Sequence, residues 1–258
     1  MSDLFDIRGK TALVTGGSRG IGLMIARGLL DAGARIMISS RKEADLNATA
    51  DELSAHGDCV PVPADLSDPD GARGLAAAVA GRFPELSILV NNAGATWGAP
   101  LDDFPQSGWD RVIGTNVEGI FHLTTALLPQ LRAAASTEDP ARVINIGSID
   151  GIRVPSTENY SYSASKAAVH MLTRHLAKRL APDHITVNAI APGPFESKMM
   201  AFALDNPETR EAIEQMVPLG RIGRPDDAAG LVQFLASRAG AYLTGTVIPM
   251  DGGITGCG

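Results

Sequence analysis

Cysteine is scarce, with two residues in 258, Cys59 and Cys257. They lie far apart and without metal-ligand spacing. No disulfide framework and no metal site is expected, and a reduced, cytoplasmic setting is. A basic excess is also missing. Lys and Arg number 22 against 29 Asp and Glu, for a net charge of −7. Nucleic acid and anionic membranes both select basic patches, so neither is an expected partner. A phosphorylated small molecule remains open, because it needs only a local cationic pocket. No run of about 18 apolar residues exists, so no membrane-spanning helix is expected. The segment Met1 to Lys10 carries acids and no apolar stretch, unlike a signal peptide. Internal repeats and low-complexity linkers are absent as well.

What remains is an ordinary globular composition, 45% hydrophobic. The length allows one large α/β domain. Short apolar runs alternate with longer helical patterns. The strand candidates are Thr11–Thr15, Arg35–Ser39, Cys59–Pro63, Ile88–Asn91, Arg142–Ile146, Thr186–Ile190 and Thr246–Pro249. The segments between them suit the crossovers of a parallel sheet. Ile21, Ile25 and Leu29 fall on one helical face, as do Val169, Leu172, Leu176 and Leu180. The pattern predicts a single α/β domain over 1–258, a Rossmann-like doubly wound parallel sheet of about seven strands with helices on both faces. The expected strand order is 3-2-1-4-5-6, with the seventh at the edge.

The first strand runs into Thr15-Gly16-Gly17-Ser18-Arg19-Gly20-Ile21-Gly22, where a helix begins. Glycines permit a sharp turn and close approach to a pyrophosphate, and a helix N-terminus offers free N–H groups. The second strand ends in Ser39-Ser40-Arg41-Lys42. An NAD site would carry an acid there for the ribose hydroxyls. Hydroxyls and guanidinium groups, with Arg19 from the glycine loop, suit a 2′-phosphate instead. NADP(H) is therefore expected over NAD(H).

Tyr162 and Lys166 lie four residues apart, on one face of a helix, and Ser148 ends a strand upstream. A free tyrosine, with a pKa near ~10, is a poor base at neutral pH. A neighbouring cation should lower that value and make Tyr162 a usable general acid/base. Tyr160 has Ala164 at the matching position and is expected to line a pocket or pack.

Together these residues resemble the short-chain dehydrogenase/reductase family over essentially the whole chain. Thr15, Gly16, Gly20 and Gly22 match its glycine motif, and Asp65-Leu66 matches its adenine-contacting position. Asn91-Asn92-Ala93-Gly94 and Pro192-Gly193 match two further motifs. Asn116, Ser148, Tyr162 and Lys166 match its catalytic tetrad. The resemblance implies that Tyr162 passes a proton to the nascent alkoxide. Lys166 would lower the Tyr162 pKa and bond the nicotinamide ribose, Ser148 would orient the carbonyl, and Asn116 would hold a water leading to solvent. It implies cofactor contacts at Gly16, Ser18, Arg19, Gly20, Ile21, Gly22, Ser40, Arg41, Asp65, Leu66, Asn92, Ala93, Gly94, Tyr162, Lys166, Pro192, Gly193, Phe195 and Ser197. Ser197 stands where the family often has Thr. The loop between Ser148 and Tyr162 is slightly longer than is common in the family.

Within the family the chain is most similar to 3-oxoacyl-carrier-protein reductases, in the branch linked to rhamnolipid biosynthesis. That similarity rests on Ala95-Thr96-Trp97-Gly98-Ala99, on Pro140 to Ser148 and on Asp251-Gly252-Gly253. It implies a carbonyl or alcohol substrate, presented by acyl carrier protein or coenzyme A, and a homotetramer or homodimer. A flap over about 194–216 contains Phe195, Met199, Met200, Phe202 and Met216, which either adapt to an apolar chain or pack the flap. Arg221 and Arg224 either meet an acidic carrier helix or cap the helix that follows. A ketone reductase or secondary-alcohol dehydrogenase acting on sugars, steroids or diketones carries the same motifs. A non-catalytic NADP(H)-binding sensor is the alternative of another class.

Overall fold

A computed structural model describes residues 4–196 and 206–257. Seven strands form one parallel sheet: β1 (Thr11–Thr15), β2 (Arg35–Ser40), β3 (Cys59–Pro63), β4 (Ile88–Asn91), β5 (Ala141–Ile146), β6 (Ile185–Pro192) and β7 (Val247–Met250). Their order is β3-β2-β1-β4-β5-β6-β7, as expected. Every residue of β4, β5 and β6 is buried, which is why these strands read as near-continuous apolar runs.

Alternation along the strands divides the core into two layers. Val14, Ile36, Ile38, Val90 and Ile144 face one side. There they meet α1 (Gly20–Asp31), α2 (Glu43–Leu53) and α9 (Pro225–Ala236) through Ile25, Leu29, Leu46, Val232 and Leu235. Leu13, Met37, Leu89, Val143 and Val187 face the other. They meet α3 (Pro69–Arg82), α5 (Gly119–Ala126), α6 (Leu128–Ala134) and α7 (Tyr160–Leu180) through Leu75, Val79, Leu123, Leu131 and Leu180. Each fully buried aliphatic side chain contributes roughly 1.5–3 kcal/mol. Two further helices among the described residues are α4 (Gln106–Ile113) and α8 (Pro207–Met216). Among the described residues no helix is long and apolar enough to cross a membrane.

Several strand ends shift by one or two residues from the sequence reading, and two local features stand out. The helical stretch from Gln106 to Ala134 is irregular: α4 passes into a π turn at Gly114–Glu118, then α5, and α6 restarts with Pro129 in its first turn. Strand β6 continues through Pro192. Its pairing with β5 stops at Ile190, and Ala191 and Pro192 pair only with β7, so the missing proline N–H costs no bond to β5.

Strands β1, β2 and β3 lead one way across the sheet and β4 to β7 the other. Their C-terminal ends open a crevice at the β1/β4 switch, the place such sheets bind ligands.

Candidate active site

The crevice is built first by the turn after β1. Gly16 has φ +64°, a region that favours glycine. A Cβ on Gly22 would lie 2.2 Å from the Gly16 carbonyl oxygen and 2.3 Å from Asn92 Nδ2. Asn92 Nδ2 donates to the Thr15 and Gly16 carbonyls at 2.9 and 3.2 Å, and Thr15 Oγ1 accepts from the Asn92 and Ala93 N–H groups at 3.0 Å each. The loops after β1 and β4 are thus stitched together. Gly22→Ala should break that seam. Its expected cost is on the order of 1–3 kcal/mol of stability, with a matching drop in thermal midpoint and weaker nucleotide binding. An unchanged midpoint and unchanged nucleotide titration would contradict the close approach.

Gly16, Ser18, Arg19, Ser40, Arg41, Asp65, Leu66, Ala93 and Gly94 line one cleft, together with Ala64, Asp45 and Thr115, which sequence reasoning missed. Gly20, Ile21 and Gly22 open α1 directly after Arg19 and do not themselves line the cleft. The Ser40 Oγ is buried and, among the described residues, has no hydrogen-bond partner. A buried hydroxyl without a partner is costly. A phosphate oxygen next to Arg41 and Arg19 would relieve it, so the cleft fits a 2′-phosphorylated nucleotide. Burial opposes ionisation of Asp65. The Ser67 N–H and hydroxyl, at 3.0 and 2.7 Å, and the Arg41 charge outweigh it and hold the carboxyl below its ordinary value.

Gly94 joins the cleft to a second cluster. A Cβ there would lie 3.4 Å from Asn116 Oδ1 and 3.8 Å from Lys166 Nζ. Ser148 follows β5 and opens the short turn Ile149–Gly151, its Oγ accepting from the Asp150 N–H at 3.1 Å. Tyr162 and Lys166 stand one turn apart on α7, with Lys166 Nζ 5.5 Å from the centre of the Tyr162 ring. Nζ donates to the Ile146 carbonyl at 2.8 Å. The Ser148 hydroxyl stands near enough to the Tyr162 phenol to favour its ionised form. Asn116 spends its side-chain amide on protein. It accepts from the Ala95 N–H at 2.7 Å and donates to the Ala95 carbonyl at 3.0 Å and to Ser165 Oγ at 2.9 Å. It therefore ties the loop after β4 to α7.

The electrostatics correct one expectation. Burial pushes the Tyr162 phenol up to about 12, the Ser148 hydroxyl opposes it and the Asp150 charge reinforces it. The expected pull of Lys166 does not prevail, so the protein alone keeps Tyr162 as a proton-bearing acid. Burial likewise pushes Lys166 down to about 8, against the attraction of Asp150. It remains a cation at neutral pH.

The remaining sites divide. Pro192 and Gly193 end β6, and the Gly193 N–H donates to the Met250 carbonyl at 3.0 Å. The Phe195 ring packs on Gly223 and lines a different cavity of about 370 Å³ at the β7 edge, shared with Pro194, Leu219 and Met250. That ring does not line the nucleotide cleft. Ser197, Met199, Met200 and Phe202 lie outside the described residues, while Met216 is exposed. Tyr160 packs edge-on against Phe104 at 5.6 Å and donates to Glu158 at 3.3 Å. Arg221 grips Asp227 with two bonds, 2.6 and 3.0 Å, and the Arg224 N–H donates to the same carboxylate at 2.7 Å. The capping reading holds for that pair. Among the described residues no group of three His, Cys, Asp or Glu side chains could hold a metal.

A buried polar chain was also missed. Asn91 Nδ2 donates to Asn145 Oδ1 at 2.9 Å, and Asn145 Nδ2 donates to Thr173 Oγ1 at 2.9 Å. It fixes α7, and so Tyr162 and Lys166, against β4 and β5. The signal was available: Asn91 and Asn145 are the polar exceptions at facing positions of two apolar strands.

A family profile described as Enoyl-(Acyl carrier protein) reductase matches residues 16–255. The chain is 53% identical to a rhamnolipids biosynthesis 3-oxoacyl-[acyl-carrier-protein] reductase of Pseudomonas aeruginosa, over 98% of this chain and 99% of that protein. It is 37% identical to a galactitol 2-dehydrogenase (L-tagatose-forming) of Cereibacter sphaeroides, over 98% and 97%. A solved Pseudomonas aeruginosa RhlG/NADP active-site complex superposes with a TM-score of 0.96 at 52% identity, covering 99% of this chain and 100% of that one.

Proposed function

Because this chain belongs to the short-chain dehydrogenase/reductase family, we propose that it is an NADPH-dependent carbonyl reductase. Its substrate on this reading is a 3-oxoacyl thioester, carried by acyl carrier protein or coenzyme A. One observation carries the chemistry: the Tyr162 phenol, the Lys166 ammonium and the Ser148 hydroxyl cluster beside Gly94, which lines the cleft. The relative from Pseudomonas aeruginosa supports the substrate class, and the NADP complex of the similar structure supports the cofactor.

Bound NADPH supplies the hydride. Ser18, Arg19, Ser40 and Arg41 hold its 2′-phosphate end, and the turn from Gly16 to Gly22 holds the pyrophosphate. Asp65 and Leu66 flank the adenine. Asn92, Ala93 and Gly94 line the path towards Lys166, and Pro192 and Gly193 bound the nicotinamide side. Ser148 accepts from the Asp150 N–H, which leaves its own hydrogen free to turn from the Tyr162 oxygen to the substrate oxygen. Tyr162 donates the proton that completes the hydroxyl, and Lys166 stabilises the charge left on the phenol. Asn116 positions the loop and α7.

Exposed Phe121 on α5 and Met171 on α7 support self-association across those helices, as a dimer or tetramer. The galactitol dehydrogenase relative favours the second reading, a polyol or ketone oxidoreductase. NADPH consumption separates the two. Preference for an acetoacetyl thioester over ketoses and simple ketones supports the first reading, and turnover confined to the latter supports the second.

A further inference from the structure

Asp150 is a carboxylate that the mechanism above does not use. It lies two residues after Ser148, in the same short turn, with its N–H on the Ser148 oxygen at 3.1 Å. Its side chain is pinned: Asn159, the residue before α7, donates to Asp150 Oδ2 at 3.2 Å. Asn159 is itself fixed, accepting from Ser163 Oγ at 3.1 Å. The carboxylate therefore joins the Ser148 turn to the start of the helix that carries Tyr162. It is half-buried, so water screens it incompletely. Its charge acts on both Tyr162 and Lys166. The cations that face it are Arg153 from its own loop and Lys166 from α7. Neither is hydrogen-bonded to it among the described residues, and Lys166 is committed to the Ile146 carbonyl.

We propose that Asp150 is a specificity-determining residue, a fixed negative charge beside the reacting carbonyl that rejects free 3-oxo acids and admits the same chain when its carboxyl is masked as a thioester or ester. This deepens the reading under Proposed function and rests on it. A 3-oxo acid carries its carboxylate two carbons from the carbonyl that Ser148 and Tyr162 grip. Its negative charge then falls close to that of Asp150, and like charges at such range in a partly dry site repel. Esterification or thioesterification removes the charge and leaves the carbonyl in place. The discrimination is electrostatic, so it weakens on protonation of Asp150. Burial raises its pKa above the ordinary value against the pull of Asn159, Arg153 and Lys166. The protonated form therefore gains ground at milder acidity than for a free aspartate.

The test is a ratio of kcat/KM values for acetoacetate and an acetoacetyl thioester, in the wild type, Asp150→Asn and Asp150→Ser. A change in Tyr162 acidity affects both substrates alike and cancels in the ratio. Both variants should shift the ratio towards acetoacetate by ~10-fold or more. The wild-type ratio should move the same way as the pH is lowered, and the variants' ratios should not. Fluorescence of bound NADPH identifies folded variants. A ratio within about 2-fold of wild type in either folded variant overturns the proposal. Should the wild type reduce no thioester, the substrate reading fails. The same ratio taken against pentane-2,4-dione as the uncharged partner then still decides the role of Asp150.

Discussion

Replacing Tyr162 with Phe is expected to lower kcat/KM for carbonyl reduction by ~10²–10⁴-fold. The change removes one oxygen and keeps the ring against which Lys166 stands. Folding and NADPH affinity should stay close to wild type, so the loss should fall on kcat. The pH dependence follows from the same site. The phenol, pushed up to about 12, keeps its proton across the working range, so it does not limit the reaction at neutral pH. Lys166, pushed down to about 8, loses its charge as the pH rises through that value. The wild-type rate should therefore hold from neutrality to about pH 8 and fall above it. Steady-state kinetics across that range measure both effects. A Tyr162→Phe enzyme within about 10-fold of wild type would remove Tyr162 as the proton donor.

The second large effect concerns the cofactor. Arg41→Asp reverses a charge at the end of β2 beside the Ser40 hydroxyl, which has no partner among the described residues. A charge-assisted bond to phosphate is worth roughly 1.5–3 kcal/mol, and the new carboxylate adds repulsion. The NADPH-over-NADH ratio of kcat/KM should fall by ~10²-fold or more. NADH should lose little, because an acid at this position can accept from ribose hydroxyls. Measuring both cofactors on wild type and variant decides it. A ratio that moves less than about 3-fold would mean that Arg41 does not meet the 2′-phosphate.

The strands were legible because each is a compact apolar run bounded by polar residues, and the sheet order followed from regular strand–helix alternation. The breaks were harder. The π turn around Asn116 has no local sequence signature, since helix propensity persists through it and its register depends on contacts with Ala95 and Ser165. Pro192 reads as a strand end, and only its edge-side pairing with β7 shows why it is tolerated. In the site, the four-residue spacing of Tyr162 and Lys166 correctly brought them together. It could not reveal how strongly burial competes with the cation, and burial reverses the expected direction of the phenol's shift. Asp150 is silent in the sequence, because a turn aspartate reads as solvated until its partners Asn159 and Ser148 are seen.

The central claim is that hydride passes from NADPH to a thioester-borne ketone while Tyr162 supplies the proton. Mass analysis of the product formed from NADPH deuterated at the transferable nicotinamide position tests it most directly. The expected product is a 3-hydroxyacyl thioester with deuterium on the alcohol carbon in ordinary water, formed by the wild type and nearly abolished in Tyr162→Phe. A wild type that forms labelled alcohols from simple ketones or sugars and none from the thioester would contradict the assigned substrate. A product without deuterium on that carbon would contradict the reaction itself.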